Sequence, residues 1–305
     1  MAFALQVLMN ALSLGSLYAL AALGIGLLFG VLKLINFAHG DFITVGAYAL
    51  IVPSAATQAT LMIGDFHPLI LIPCIVVVVV ILALIAEFLV FRPLRNASPA
   101  TLMIGSFALG FVIQNILIMI YGGRPKAVGI WSDLSLGVEL MPGVEVPKLQ
   151  LIIIGVTLVL MVVLVLFLTR TKYGIHMRAA AEDFRMARML GIEANRVIML
   201  AVAISGMLAA AVSMLFVVQT GILDFRMGVS LMLFAFIATV IGGMGSLVGA
   251  VVGGFAVGAV SILLQTFLPS EMRVFRDVFV FAIVIFILLV RPQGLVMSRA
   301  SRERV

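Results

Sequence analysis

The chain has 305 residues, of which 64% are hydrophobic and only 10% charged, with a net charge of +6 and a mean hydropathy of +1.31. Soluble domains carry about 25% charged residues, so this composition excludes one and points to an integral membrane protein. A basic balance could suit nucleic acid. Here, however, lysine and arginine cluster in short stretches beside apolar runs, as topology signals do.

Apolar runs fall at 4–31, 42–58, 68–91, 100–121, 150–169, 197–218, 229–241, 248–268 and 276–290. One membrane-crossing helix needs roughly 20 such residues. Continuous runs select helices over the alternating strands of a barrel. The predicted fold is therefore all-α, a polytopic transmembrane helical bundle of about eight to nine hydrophobic segments with interrupted helices. Residues 1–305 form a single membrane domain with no soluble domain.

The opening stretch, MAFALQVLMNALSLGSLYAL, has no basic leader region, so the first span is expected to be retained rather than cleaved. Next comes LKLINFAHGDFITVGAY (32–48), with no charge before Lys33 and none between Asp41 and Asp65. Gly40 is expected to break the helix here. Asn36, His39 and Asp41 then lie either at a membrane interface or at the gate of a pathway. Cys74 is the only cysteine, which excludes an intrachain disulfide and a multi-cysteine metal site. Glu87 near Arg92 reads as an acid snorkelling to the interface. Asn10, Ser13, Gln114, Asn115, Ser205 and Thr239 are uncharged polar groups within spans. Each either faces a polar path or makes an interhelical hydrogen bond.

The linker 122–149 is expected to be the longest extracytoplasmic stretch, with Pro125, Pro142, Pro147, the single tryptophan, Trp131, and balanced charges. The loop 170–196 carries Arg170, Lys172, Arg178, Arg185, Arg188 and Arg196, and the tail carries Arg291, Arg299, Arg302 and Arg304. Both are expected on the cytoplasmic side, with the turn FRPLRNASPA. An even number of crossings is then needed between Arg196 and Arg291, so GGMGS (242–246) must reverse the run 230–268. The count places the N-terminus outside and the C-terminus in the cytoplasm. Gly26 and Gly30, Gly249 and Gly253, and Gly254 and Gly258 are spaced for close helix packing in lipid.

No GxxxxGK(S/T) loop, HExxH motif or nucleophile elbow is present, and His39, His67 and His176 lack metal-ligand spacing. The chain is therefore not read as an enzyme, and no cofactor is expected. No pair of mid-membrane carboxylates is visible, which weighs against a proton- or sodium-driven mechanism.

The loop 170–196 is too long for a simple turn. AAAEDFRMARMLGI reads as a short amphipathic helix ended by Gly191. Ala179, Phe184, Ala187 and Leu190 form one stripe, leaving Glu182, Asp183, Arg185 and Arg188 toward water or a partner. RAAAEDFRMARMLGI resembles the cytoplasmic coupling loop of ABC importer permeases. LINFAHGDFITVGAY resembles the signature of the branched-chain amino-acid permeases, the H-type subunit of the Liv system, and GGMGSLVGAVVGG and RPQGL match that family's later motifs.

The resemblance runs through essentially the whole chain, and implies an importer permease of the bacterial inner membrane working by alternating access. It implies as partners a homologous second permease subunit, two cytoplasmic ATP-binding subunits, an extracytoplasmic substrate-binding protein and membrane lipid, with no nucleic acid. Arg178, Glu182, Asp183, Arg185, Gly191 and Ile192 would contact the ATPase. Asn36, His39, Asp41, Gln114 and Asn115 would line the pathway or its gate. Close relatives move urea, short amides or other amino acids, so these stay open as cargo. A stand-alone ion-coupled carrier or channel remains the alternative from another class.

Overall fold

A computed structural model describes residues 2–32, 35–54, 56–95, 97–141, 144–291 and 294–296. Lys33, Pro142, Arg299, Arg302 and Arg304, named above, lie outside these residues, as do the side chains of Phe184 and Arg185. The helices are α1 (Ala2–Leu32), α2 (His39–Tyr48), α3 (Pro68–Ala86), α4 (Arg92–Leu94), α5 (Pro99–Tyr121), α6 (Lys148–Arg170), α7 (Lys172–Glu182), α8 (Phe184–Met189), α9 (Ala194–Thr220), α10 (Met227–Gly242), α11 (Leu247–Phe267) and α12 (Arg276–Val290). A π-helical turn, Glu87–Phe91, joins α3 to α4 without a break.

Every apolar run contains a helix. Six of the helical stretches among the described residues are long and apolar enough to cross a membrane. The helices of the other three apolar runs are not: α2, α10 and α12 have 10, 16 and 15 residues, against roughly 20 for a crossing. The run 42–58 was the least faithful guide. Its helix starts at His39 and stops at Tyr48, and beyond it the chain extends to bridge Ile51 with Leu61 and Gln58 with Ala127.

Helix ends follow local chemistry. Ser98 and Ser246 accept hydrogen bonds from the amides of Thr101 and Gly249, at 3.2 and 3.0 Å, as N-caps do. The GGMGS reversal is made by Gly243 and Gly245, at φ 104° and 88°, a region closed to most side-chain-bearing residues.

The chain divides into two compact units. The first takes the described parts of Met1–Gly26, Trp131–Val162 and Leu233–Val305. Within it, α1 and α11 touch backbone to backbone, Gly254 against Ala19 and Gly258 against Gly15, with no room for a Cβ on either glycine. Thus two of the predicted glycine spacings do pack helices, whereas Gly26 has ordinary clearance. Asn10 Oδ1 accepts from Gln150 Nε2 at 2.8 Å, and Thr239 Oγ1 lies 2.8 Å from Ala235 O and 3.4 Å from Ala22 O. Strands β2 (Gly137–Met141) and β3 (Val144–Pro147) form an antiparallel hairpin. Residues 294–296 return to the end of α10, where the amide of Leu295 donates to Ile241 O at 2.6 Å.

The second unit takes Leu27–Ile130 and Val163–Met232. Its centre is α2, buried along nearly its whole length and packed against α3, α5 and α9. Strand β1 (Lys126–Ala127) pairs antiparallel with β4 (Ile222–Leu223). There the buried ammonium of Lys126 donates to the carbonyls of Ser54 and Ala56, at 2.7 and 2.6 Å.

Candidate functional site

Both groups of candidate residues belong to the second unit. The first group surrounds the start of α2. Asn36 closes the bend between α1 and α2, because its Oδ1 accepts from the amide of Ala38 at 3.0 Å. Phe37 is held to α5 by stacking on Phe107, ring centroids 4.1 Å apart, and by its amide donating to Ser106 Oγ at 3.1 Å. The break thus lies at residues 35–38, and Gly40 sits inside α2 instead of interrupting it. Its lack of a side chain serves a different end. A Cβ on Gly40 would strike the backbone of Gly228 at the start of α10, and the converse holds for Gly228. Thr44 spans the same contact, its hydroxyl donating to Gly40 O at 3.2 Å and accepting from the Gly228 amide at 3.1 Å.

Asn36, His39 and Asp41 are 3%, 0% and 3% exposed. Of the two expected surroundings, a membrane interface does not describe these groups, which are enclosed by protein and bonded within it. His39 Nδ1 meets Ser205 Oγ of α9 at 3.2 Å, while its Nε2 is buried without a hydrogen-bonding partner. Asp41 Oδ1 accepts from Gln114 Nε2 of α5 at 2.9 Å. Room for the carboxylate comes from Gly110, where a Cβ would collide with Asp41 Oδ2. Asn115 is not part of this cluster. It is exposed, and its amide donates to Phe111 O of its own helix at 2.7 Å.

The second group is the segment from α7 to the start of α9. Thr171 Oγ1 caps α7 by accepting from the Gly174 amide at 3.0 Å, and Gly174 lies directly on the backbone of Phe167 and Leu168. In place of the single helix expected, the chain breaks at Asp183, which is extended at φ −148° and ψ 106°. The reason is its side chain: Asp183 Oδ1 accepts from the Met186 amide at 3.0 Å and so starts α8 as an N-cap. Gly191, at φ 82°, ends α8. Its amide donates to Arg188 O and that of Ile192 to Ala187 O, each at 3.0 Å, the paired bonds of a Schellman motif.

This elbow buries Met177, Ala180 and Ala187 but leaves Met186, Met189 and Leu190 exposed, Leu190 by 80%. The predicted apolar stripe is corrected accordingly, with Ala187 inside and Leu190 outside. Arg178, Glu182, Asp183, Arg188 and Gly191 are also exposed, and Ile192 is half-buried.

Comparison with known proteins reads this geometry. Residues 7–288 match the family model described as branched-chain amino acid transport system / permease component. The chain belongs to that permease family. It is 31% identical over 306 residues to the high-affinity branched-chain amino acid transport system permease protein BraD of Pseudomonas aeruginosa, covering 99% of this chain and 98% of that one. It is 32% identical over 310 residues to the permease protein LivH of Escherichia coli, covering 99% and 97%. Among solved structures, a chain of PsaBC from Streptococcus pneumoniae, in complex with a Fab, superposes with a TM-score of 0.52 at 13% identity over 94% of this chain and 92% of that one. That likeness concerns the fold.

For this permease, sequence reasoning missed several partners of the named residues. Ser106 and Gly228 lie in no quoted motif, and Thr44 lies within LINFAHGDFITVGAY without being singled out; their roles exist only once α5 and α10 meet α2. Glu87 was misplaced. It is buried, and it pairs with Arg95 in place of an interfacial position beside Arg92. The guanidinium of Arg92 instead lies 5.6 Å from the ring centroid of Phe88. The cause is the π-helical turn that Glu87 opens, which shifts the azimuth of every residue after it.

Proposed function

We propose that this chain is the transmembrane permease subunit of an ATP-driven importer of branched-chain amino acids in a bacterial inner membrane. The observation that carries the proposal is the full-length similarity to the BraD and LivH permeases, joined to an elbow whose apolar side chains face outward from a highly charged segment. Lipid does not account for Met186, Met189 and Leu190, because the arginines, Lys172, Glu182 and Asp183 around them are costly to bury in a bilayer. A protein partner does. Apolar anchors rimmed by charge are the anatomy of a docking surface, and in this reading the partner is the subunit that hydrolyses ATP, since this chain carries no phosphate-binding loop motif.

In this reading the partner ATPases press on residues 172–192, and the helices respond by alternating between outward- and inward-facing states. The enclosed cluster of Asn36, His39, Asp41 and Gln114 is the gate. Its bonds to α5 and α9 close the path, and their exchange for bonds to water or to the zwitterionic cargo opens it. A homologous permease subunit and an extracytoplasmic binding protein complete the complex. The N-terminus lies outside, and residues 170–196 and the C-terminus lie in the cytoplasm.

The test is uptake by the reconstituted complex of leucine, isoleucine, valine, urea and small polar amino acids. ATP-dependent accumulation of the three branched-chain amino acids, above the others, is expected. ATP-independent uptake by this chain alone would replace the proposal with a stand-alone carrier.

A further inference from the structure

We propose that Arg95 is a positioning residue that ties the docking elbow to the π-helical turn of α3 by holding Glu87 and Asn195 at once. The inference rests on the docking role proposed for residues 172–192, and extends it inward. One amino group of Arg95 pairs with Glu87 Oε1, and the other donates to Asn195 Oδ1 at 2.6 Å. Glu87 has only 4% of its side chain exposed, within a strongly apolar helix. A carboxylate so placed is strongly destabilising without a cation, so Arg95 is committed to it. The guanidinium is a planar, rigid fork, and fixing one arm on Glu87 fixes where the other arm points. It points at the second residue of α9, just beyond the Schellman turn that ends the elbow at Gly191.

The contacts then continue inward. Glu87 opens the π-helical turn, a rare geometry that is frequent at functional sites. One to two turns back along α3, Val80 and Ala83 lie against Gly206 of α9, and Val79 against Gly46 of α2. α9 itself packs on α3 and α2, and the Arg95 fork adds to that packing a directional polar link from the elbow to the π-helical turn. The exposed pair Arg196–Glu193, at 2.9 Å, lies in the same turn, but it stays within the turn and reaches no other helix.

Asn195 is the position to test, because it is exposed and its loss leaves the Glu87–Arg95 pair in place. In the full complex with its ATPase and binding protein, Asn195→Leu removes the acceptor and Asn195→Asp keeps one. Copurified ATPase, ATP hydrolysis and uptake per ATP are measured on the same preparations. Asn195→Leu should keep ATPase and hydrolysis at wild-type levels while uptake per ATP falls about tenfold, within the usual range of site-to-site coupling. Asn195→Asp should retain wild-type uptake per ATP. Wild-type uptake per ATP in Asn195→Leu, or an equal defect in both variants, would overturn the role of Arg95. A wild-type chain that brings down no ATPase would overturn the docking reading itself, and this inference with it.

Discussion

The start of α2 and the elbow of α7 and α8 invert each other's chemistry. Around α2, polar groups are enclosed in a mostly apolar protein; on the elbow, apolar groups are exposed in the most charged segment. Each arrangement is unfavourable by itself. Burying a carboxylate and an imidazole requires dedicated partners, which Gln114 and Ser205 supply. Exposing Leu190 to water forgoes the burial that a single helix with an inward Leu190 would have provided. Such departures from the local optimum are where function is to be sought. Most groups of the first region find partners within the chain, His39 Nε2 excepted, whereas the apolar tip of the second is the surface proposed above to take a partner.

That contrast can be broken at either end. The largest effect is expected from Gly228→Val, which drives a side chain into the backbone of Gly40. Overpacking a tight contact costs about 1–3 kcal/mol, and backbone on both sides leaves little relief here. The variant should lose thermal stability in detergent by size-exclusion monitoring, and an unchanged melting profile would show that α2 and α10 can part freely.

His39→Leu and Asn36→Leu should act more on transport than on assembly. Losing one intramembrane hydrogen bond costs about 0.6–1.7 kcal/mol, so both variants should assemble. Their uptake should fall at least about fivefold, roughly 1 kcal/mol on the barrier. Wild-type uptake in both would remove the cluster from the mechanism.

At the elbow, Gly191→Val imposes a branched side chain on φ 82°, a strain of about 1–3 kcal/mol. Nothing lies within 4 Å of the new Cβ, so the damage stays in the Schellman turn. Membrane insertion and melting should be unchanged while copurified ATPase drops, and normal copurification would argue that the elbow is a solvated connector. The smallest effect belongs to Asn115→Ala. The residue is exposed and bonded to its own helix, so stability should change by less than about 0.5 kcal/mol. Uptake should be unaltered. A clear loss of uptake there would return Asn115 to the pathway.

Much of the fold was legible because hydropathy alone locates spans. The helices α3, α5, α6, α9 and α11 coincide with their apolar runs to within a few residues, and Gly191 and GGMGS carried the turns expected of them. Legibility failed where the deciding partner is remote. Thr44 and Gly228 are 184 residues apart, so the use of Gly40 as a packing surface was hidden, and its glycine read as a breaker. The pairing of β1 with β4 joins the two separate chain segments that make up the second unit. The break at Asp183 was local but ambiguous, since an acid in a helical pattern serves equally as a surface residue or as a cap. Glu87 was assigned to the wrong arginine because a π-helical turn leaves no periodicity signal.

The central claim is that a motor subunit seats on the exposed tip of the elbow, and a site-directed cross-link tests it most directly. In a Cys74→Ser background, Met189→Cys is compared with Met119→Cys, a position on α5 that is 85% exposed and expected to face lipid. The assembled, transporting complex is treated with a short bifunctional reagent. The account predicts a cross-link from Met189→Cys to the ATPase subunit, altered by ATP, and none from Met119→Cys. A transporting complex in which Met189→Cys gives no such product, or Met119→Cys gives it equally, would contradict the claim.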